Sequence, residues 1–384
     1  MTATLPAPRG SSVDEATPVP TSGPDRPATD RGRPRRDLPR LLRTTTVDDV
    51  LAVLGSAVGA VALVWLLYGN LMPVAGTLGF VVCSFLAFLL LYAAVSALRH
   101  RGPTIADRLA AATVWSVAAV VGAALALIVG YTFWRGREAL SHPNLFTQDL
   151  GLAGPLDPLT RGGMLHAIVG SLIQITIAVT ITLPLGVGCA IFLNEVRGPL
   201  ARPVRTVVEA MTALPSIVAG LFIYATVLVA AGFQRSGLAA GLAISVMMLP
   251  IIARAAEVVL RVVPNGLREA SLALGASQWS TVWKVVLPTA RPSLVTAMIL
   301  GVARGIGETS PVLLTAGYTT YLNADPTSGP MVSLPLVTFT LAKSSEETDH
   351  ARAFGAAAIL FFVVLVLFVV ARAVATRMDR GGRR

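Results

Sequence analysis

Apolar residues fall in long uninterrupted runs, and charged residues are confined between them. Residues 51–69, 71–98, 109–134, 167–194, 210–234, 236–253 and 353–371 contain no Asp, Glu, Lys or Arg. An eighth run, residues 292–316, is apolar except for Arg304 and Glu308. A helix needs about 20 apolar residues to cross a bilayer core. The pattern therefore predicts an all-α integral membrane protein with about eight transmembrane helices. Composition agrees: 54% of the 384 residues are hydrophobic and 14% are charged, against about 25% charged in a soluble domain.

Charge orients the spans. With the N-terminus cytoplasmic, 24 of the 31 basic residues fall on the cytoplasmic side and six outside, with Arg304 inside a span. Basic residues concentrate on the cytoplasmic side of membrane proteins, so both termini are expected in the cytoplasm. This placement also assigns the net charge of +10 to membrane topology and away from a nucleic-acid surface. Residues 1–46 hold eight prolines and too little apolar surface to offset the entropy of ordering. They read as a disordered cytoplasmic tail, solvated or touching anionic lipid heads, and not as a cleaved signal peptide. Residues 376–384 read as a basic cytoplasmic tail, and residues 135–166 and 317–352 as long outer loops.

Chemistry-bearing motifs are scarce. Cys83 and Cys189 lie in apolar runs, and His100, His142, His166 and His350 are widely spaced. Neither set suggests a metal site. No glycine-rich phosphate loop ending in Gly-Lys-Ser/Thr is present, so no ATP hydrolysis, enzymatic activity or cofactor is expected of this chain.

One cytoplasmic segment is too long for a simple connector. In residues 264–291, Leu267, Ala270 and Leu274 share one helix face, and Trp279, Val282, Trp283 and Val286 share another before Pro288 stops it. Gly275 lies between them, where the backbone can turn sharply. The pattern fits two short helices presenting an apolar knob to another protein, or an amphipathic hairpin resting on lipid. Glu269-Ala270-Ser271, then Gly275, then Val285-Val286-Leu287-Pro288 resembles the E-A-A, three residues, G, nine residues, I-x-L-P signature of ABC-importer permeases. Ser271 stands for the third alanine and Val285 for the isoleucine. The resemblance implies a coupling loop to an ATP-binding subunit, with Glu269, Ala270, Ser271, Leu274, Gly275, Leu287 and Pro288 as its residues.

A second resemblance concerns substrate. Ala303-Arg304-Gly305-Ile306-Gly307-Glu308-Thr309-Ser310-Pro311 is similar to the A-R-A-I-G-E-T-A-P segment of phosphate-specific permeases. Residues 214–222 and 184–195 are similar to further segments of that group, and residues 331–335 favour its PstA type over its PstC type. The resemblance implies a type I ABC-importer permease core of six spans over residues 105–375, with residues 47–100 as an added N-terminal hairpin. It implies inorganic phosphate as substrate, with another oxyanion or a phosphate-sensing scaffold as alternatives. It also implies a homologous PstC-type permease, two PstB-type ATP-binding subunits and a PstS-type extracytoplasmic binding protein as partners. A charge inside a span is costly and marks a functional candidate. Arg304 and Glu308, four residues apart, form either an anion station or a structural ion pair; Thr309 and Ser310 either add hydroxyls to the same path or bond their own backbone.

Overall fold

The computed structural model describes residues 47–70, 76–99, 102–196 and 198–381. The expected tail over residues 1–46 lies outside them. All regular structure among the described residues is helical. Among the described residues, seven helices are long and apolar enough to cross a membrane, and one bent helix pair would bring the crossings to eight if it forms a single span.

The chain divides into two units, with the boundary between Val117 and Ala118. The first holds α1 (Val47–Asn70), α2 (Thr77–Arg99) and the start of α3 (Gly102–Leu140). Within it, α1 packs along α2, Tyr68 meets Phe80 edge to face, and Arg108 bonds Asp49 at 2.7 Å.

The second unit contains the rest of α3, α4 (Asn144–Thr147), α5 (Leu165–Glu195), α6 (Ala201–Thr212), α7 (Ser216–Ile223) and α8 (Gly237–Val262). They are followed by α9 (Asn265–Ala273), α10 (Gln278–Thr281), α11 (Leu287–Ile306), α12 (Ser310–Thr315), α13 (Leu334–Leu341) and α14 (Glu347–Gly381). Helices α5 and α8 run side by side at its centre. Small residues bring them together: a Cβ on Gly241 would lie 2.7 Å from Ile177, and one on Gly186 2.8 Å from Ile252. Close approach of this kind is how helices associate where lipid removes the hydrophobic drive. The main core gathers Ile175, Ile244, Met248, Ile252, Val332 and Leu336. A second cluster, including Ala190, Leu260, Val286 and Leu294, supports the end that carries α9.

Three expected elements differ in form. Residues 210–234 are not one helix: α6 ends at Thr212, and α7 continues through a π-helical stretch, Tyr224–Ala230, at 108° to it. Pro215 pushes Leu214 out of helical geometry and forces this elbow. Residues 292–316 break after Ile306 and resume at Ser310. Pro311 cannot donate to the carbonyl four residues back and its ring crowds it, and Gly307 tolerates the turn. Pro288, expected as a stop, instead lies in the first turn of α11, which continues from α10 through the π-helical residues Val282–Val286. The wide turn relieves the same proline clash without ending the helix.

Candidate substrate path and coupling loop

Arg304 occupies the last turn of α11, where Gly307 N–H donates to its carbonyl at 3.3 Å. Glu308 lies beyond the helix end, so the two side chains do not share a helix face as their spacing suggests. Arg304 Nε is 3.9 Å from Glu308 Oε1, an ion pair too long to be a hydrogen bond. The Arg304 side chain is 61% exposed and that of Glu308 15%. Arg304 lines a recess of about 580 Å³ with Met211 and Leu214 of the elbow and Met247, Pro250 and Ile251 of α8. Glu308, Thr309 and Ser310 are half-buried in the break and are not among the residues lining this recess. Thr309 is the N-cap residue of α12, but its side chain does not cap the helix.

Close packing fixes the break from both sides. A Cβ on Gly305 would fall 2.3 Å from Met248 Sδ, and one on Gly220 of α7 would fall 2.6 Å from Pro311 Cα. Gly307 meets only its own backbone at 3.7 Å, so of the two glycines flanking Glu308 and Arg304 only Gly305 serves helix contact.

The segment with the E-A-A spacing forms two short helices, α9 and α10, turned at Gly275, whose φ of +84° lies in the left-handed region. Glu269, Ala270, Leu274 and Gly275 are exposed, Leu274 to 89%. Trp279 and Trp283 are also exposed and meet edge to face at 5.5 Å. Val282 and Val286, expected on the same face, are buried instead. The π turn places more residues in each turn, which shifts the register of the face and leaves the two valines inward. Leu287 packs on the second core cluster, so Leu287 and Pro288 root the knob in α11, whereas Leu274 and the tryptophans form its surface.

Residues outside the motif hold the knob in place. Arg268 donates to Glu195 Oε1 at 3.1 Å and to the terminal α8 carbonyls of Leu260 and Val263 at 2.9 and 2.7 Å. It ties α9 to α5 and satisfies carbonyls that the end of α8 leaves open. Ser271 and Thr281 share a hydroxyl hydrogen bond of 2.9 Å between α9 and α10. The departure from alanine at Ser271 thus has a partner. A polar cavity of about 460 Å³ opens behind them, lined by Glu195, Arg261, Arg268, Glu269 and Thr281 among others.

Glu257 escapes a reading based on motifs. It is 1% exposed and accepts from Arg205, Arg254 and Arg261 at 2.9, 3.1 and 2.7 Å, while Arg254 also reaches Glu209 at 2.9 Å. This network fastens the amphipathic α6 to α8. Its sequence signal is the spacing Arg254, Glu257, Arg261, at which side chains of one helix meet.

At the opposite end, around α4, the two long loops fold onto each other. Leu150 N–H donates to Thr320 O, and Leu322 N–H to Asp149 Oδ2. Arg352 of α14 is 2% exposed and donates to the carbonyls of Gly154, Asp157, Pro158 and Arg161 at 3.0–3.4 Å, as well as to Asp349. Asn323 gathers the carbonyls of Ser328 and Pro330. Asp325 accepts from the Thr327 and Ser328 side chains and the Thr327 amide, which hold its carboxyl down at about 2. Among the described residues, no three His, Cys, Asp or Glu side chains converge as a metal site would require.

A family model described as "Binding-protein-dependent transport system inner membrane component" matches residues 182–383. The chain is 39% identical over 250 residues to the phosphate transport system permease protein PstA 1 of Mycobacterium tuberculosis, covering 64% of this chain and 80% of that protein. It is 39% identical over 253 residues to PstA of Mycobacterium leprae, covering 65% of this chain and 83% of that protein. To PstA of Pasteurella multocida it is 34% identical over 217 residues, covering 56% of this chain and 77% of that protein.

Proposed function

Because the chain belongs to the family of binding-protein-dependent transport system inner membrane components, we propose that it is the PstA-type permease subunit of an ATP-driven importer of inorganic phosphate. The observation that carries the substrate is 34–39% identity to phosphate permeases over most of their length, together with an arginine presented to a recess by a broken helix. Arg304 donates its planar fork to phosphate oxygens. Glu308 is its counter-ion at rest, and a contact as loose as 3.9 Å is readily exchanged for a passing anion.

The α9 end faces the cytoplasm, and both termini lie there. The knob of Leu274, Trp279 and Trp283 then meets one ATP-binding subunit. A homologous PstC-type permease completes the path and carries the second such subunit, and a PstS-type binding protein delivers phosphate to the end around α4. ATP hydrolysis belongs to the partners, and this chain carries no cofactor. The test is uptake of labelled phosphate by vesicles holding the full complex, with unlabelled phosphate, sulfate and molybdate as competitors. Competition by phosphate alone is the expected result. Equal competition by sulfate or molybdate would overturn the substrate while leaving the permease.

A further inference from the structure

Between α5, α11 and α14 lies a further cavity, of about 190 Å³, whose lining is entirely apolar: it includes Leu183, Met298, Val302, Val364, Leu367 and Phe368. Phe368 is exposed, so the slot is open at the surface that these spans turn outward. Helices α11 and α14 pack along each other in opposite directions. Arg291 precedes Val295 by four residues and Met298 by seven, and Arg372 follows Phe368 by four. Residues at these spacings share a helix face, so each arginine extends a lining face of its own helix toward the α9 end, beyond the residues that line the slot itself. Both are exposed.

An apolar slot within a membrane with two cations at its interfacial end has the chemistry of a phospholipid: a chain that wants no polar contact and a head that carries a phosphate. We propose that this slot seats part of one acyl chain of an anionic phospholipid of the cytoplasmic leaflet, with its headgroup phosphate on Arg291 and Arg372. The proposal rests on the orientation given above, in which the α9 end is cytoplasmic. An anionic head is favoured over a zwitterionic one because arginines near an anionic surface add attraction for each charge. The slot also has a route to transport. Ala303 lines both it and the recess of Arg304, so α11 is the wall between lipid and substrate path. A chain seated there holds that wall against α8.

The experiment is native mass spectrometry of the full complex released from nanodiscs of phosphatidylcholine and phosphatidylglycerol, which reads lipid retention without any transport. Retention of phosphatidylglycerol over phosphatidylcholine is expected, falling about fivefold for Arg291→Gln or Arg372→Gln and about thirtyfold for the double variant. Val302→Trp, which fills the slot and leaves the arginines, should also release the lipid. Equal retention of both lipids, undiminished phosphatidylglycerol in the double variant, or displacement by inorganic phosphate in the wash would each overturn the site. None of these results depends on which anion the complex transports.

Discussion

Arg304 and Arg352 are both embedded in helices of a membrane protein, and their surroundings are opposite. Arg352 is buried at the end around α4, with four backbone carbonyls and one carboxylate on its guanidinium. Arg304 lies beside a helix break, exposed to a recess, with one carboxylate at 3.9 Å. A guanidinium has five donors. Where the fold has spent them, the residue is part of the architecture; where it has left them open, they are available to an anion. Charge on a helix of a membrane protein is therefore an incomplete criterion for function, and the count of satisfied donors completes it.

The largest effect should come from removing the saturated arginine. Arg352→Met leaves several buried carbonyls without donors, each at about 1–3 kcal/mol, a loss on the order of 5 kcal/mol in all. Expected are low yield of the complex and a lowered melting temperature in detergent. A variant that assembles and melts normally would break the comparison. Arg304→Ala should do the reverse: unchanged assembly and melting, with uptake down by about 10²-fold, the scale of losing one preorganised donor. Arg304→Lys keeps the charge without the fork and should fall between. Normal uptake by Arg304→Ala would return that residue to the class of Arg352.

A smaller effect is expected at the knob, whose polar contacts are only partly satisfied. Gly275→Val forces a β-branched residue into positive φ, at about 1–3 kcal/mol, and should separate ATP hydrolysis from uptake by tilting α9 against α10. Stimulation of the ATPase by loaded binding protein with uptake in the native proportion would refute this. Ser271→Ala removes one hydroxyl bond, worth about 1 kcal/mol, and leaves Thr281 facing a methyl group. Its uptake should drop by a small factor, and adding Thr281→Val, which removes the stranded hydroxyl, should restore part of it.

The sequence is most legible where one residue type acts alone. Apolar runs place the crossings, and Gly275 with its flanking faces places the bend in the loop. Legibility fails where the outcome depends on a distant partner. Pro215 and Pro311 each break a helix, whereas Pro288 and Pro292 are carried within one, and the difference lies in what packs around them. Gly220 lets α7 close onto Pro311, a contact no local pattern encodes. Arg352 looks like an ordinary outer charge until residues 154–161 fold over it. Glu257 draws Arg205 from 52 positions away. Arg304 stands out in the sequence because nothing else in its run is charged except Glu308, yet the break that exposes it does not.

The smallest effect should come from Asp325, a group as well satisfied as Arg352 but on the surface of the loop between α12 and α13. Hydrogen bonds from Thr327 and Ser328 favour its charged form and hold its carboxyl at about 2 instead of the usual 3.8. A depressed carboxylate contributes stability that is complete above the unfolded value and lost as pH falls through the folded one. The turn is therefore at full strength throughout pH 5–8 and weakens only between about 4 and 2. Uptake measured across pH 5–8 should show no limb that Asp325→Asn removes. The protection of the Thr327 amide relative to its intrinsic exchange rate should fall only below about pH 4 in the native chain, and that pH dependence should vanish in the variant. A limb near neutrality that disappears with Asp325→Asn would mean that this turn, too, takes part in transport, and that a satisfied group at the surface is not as inert as one in the core.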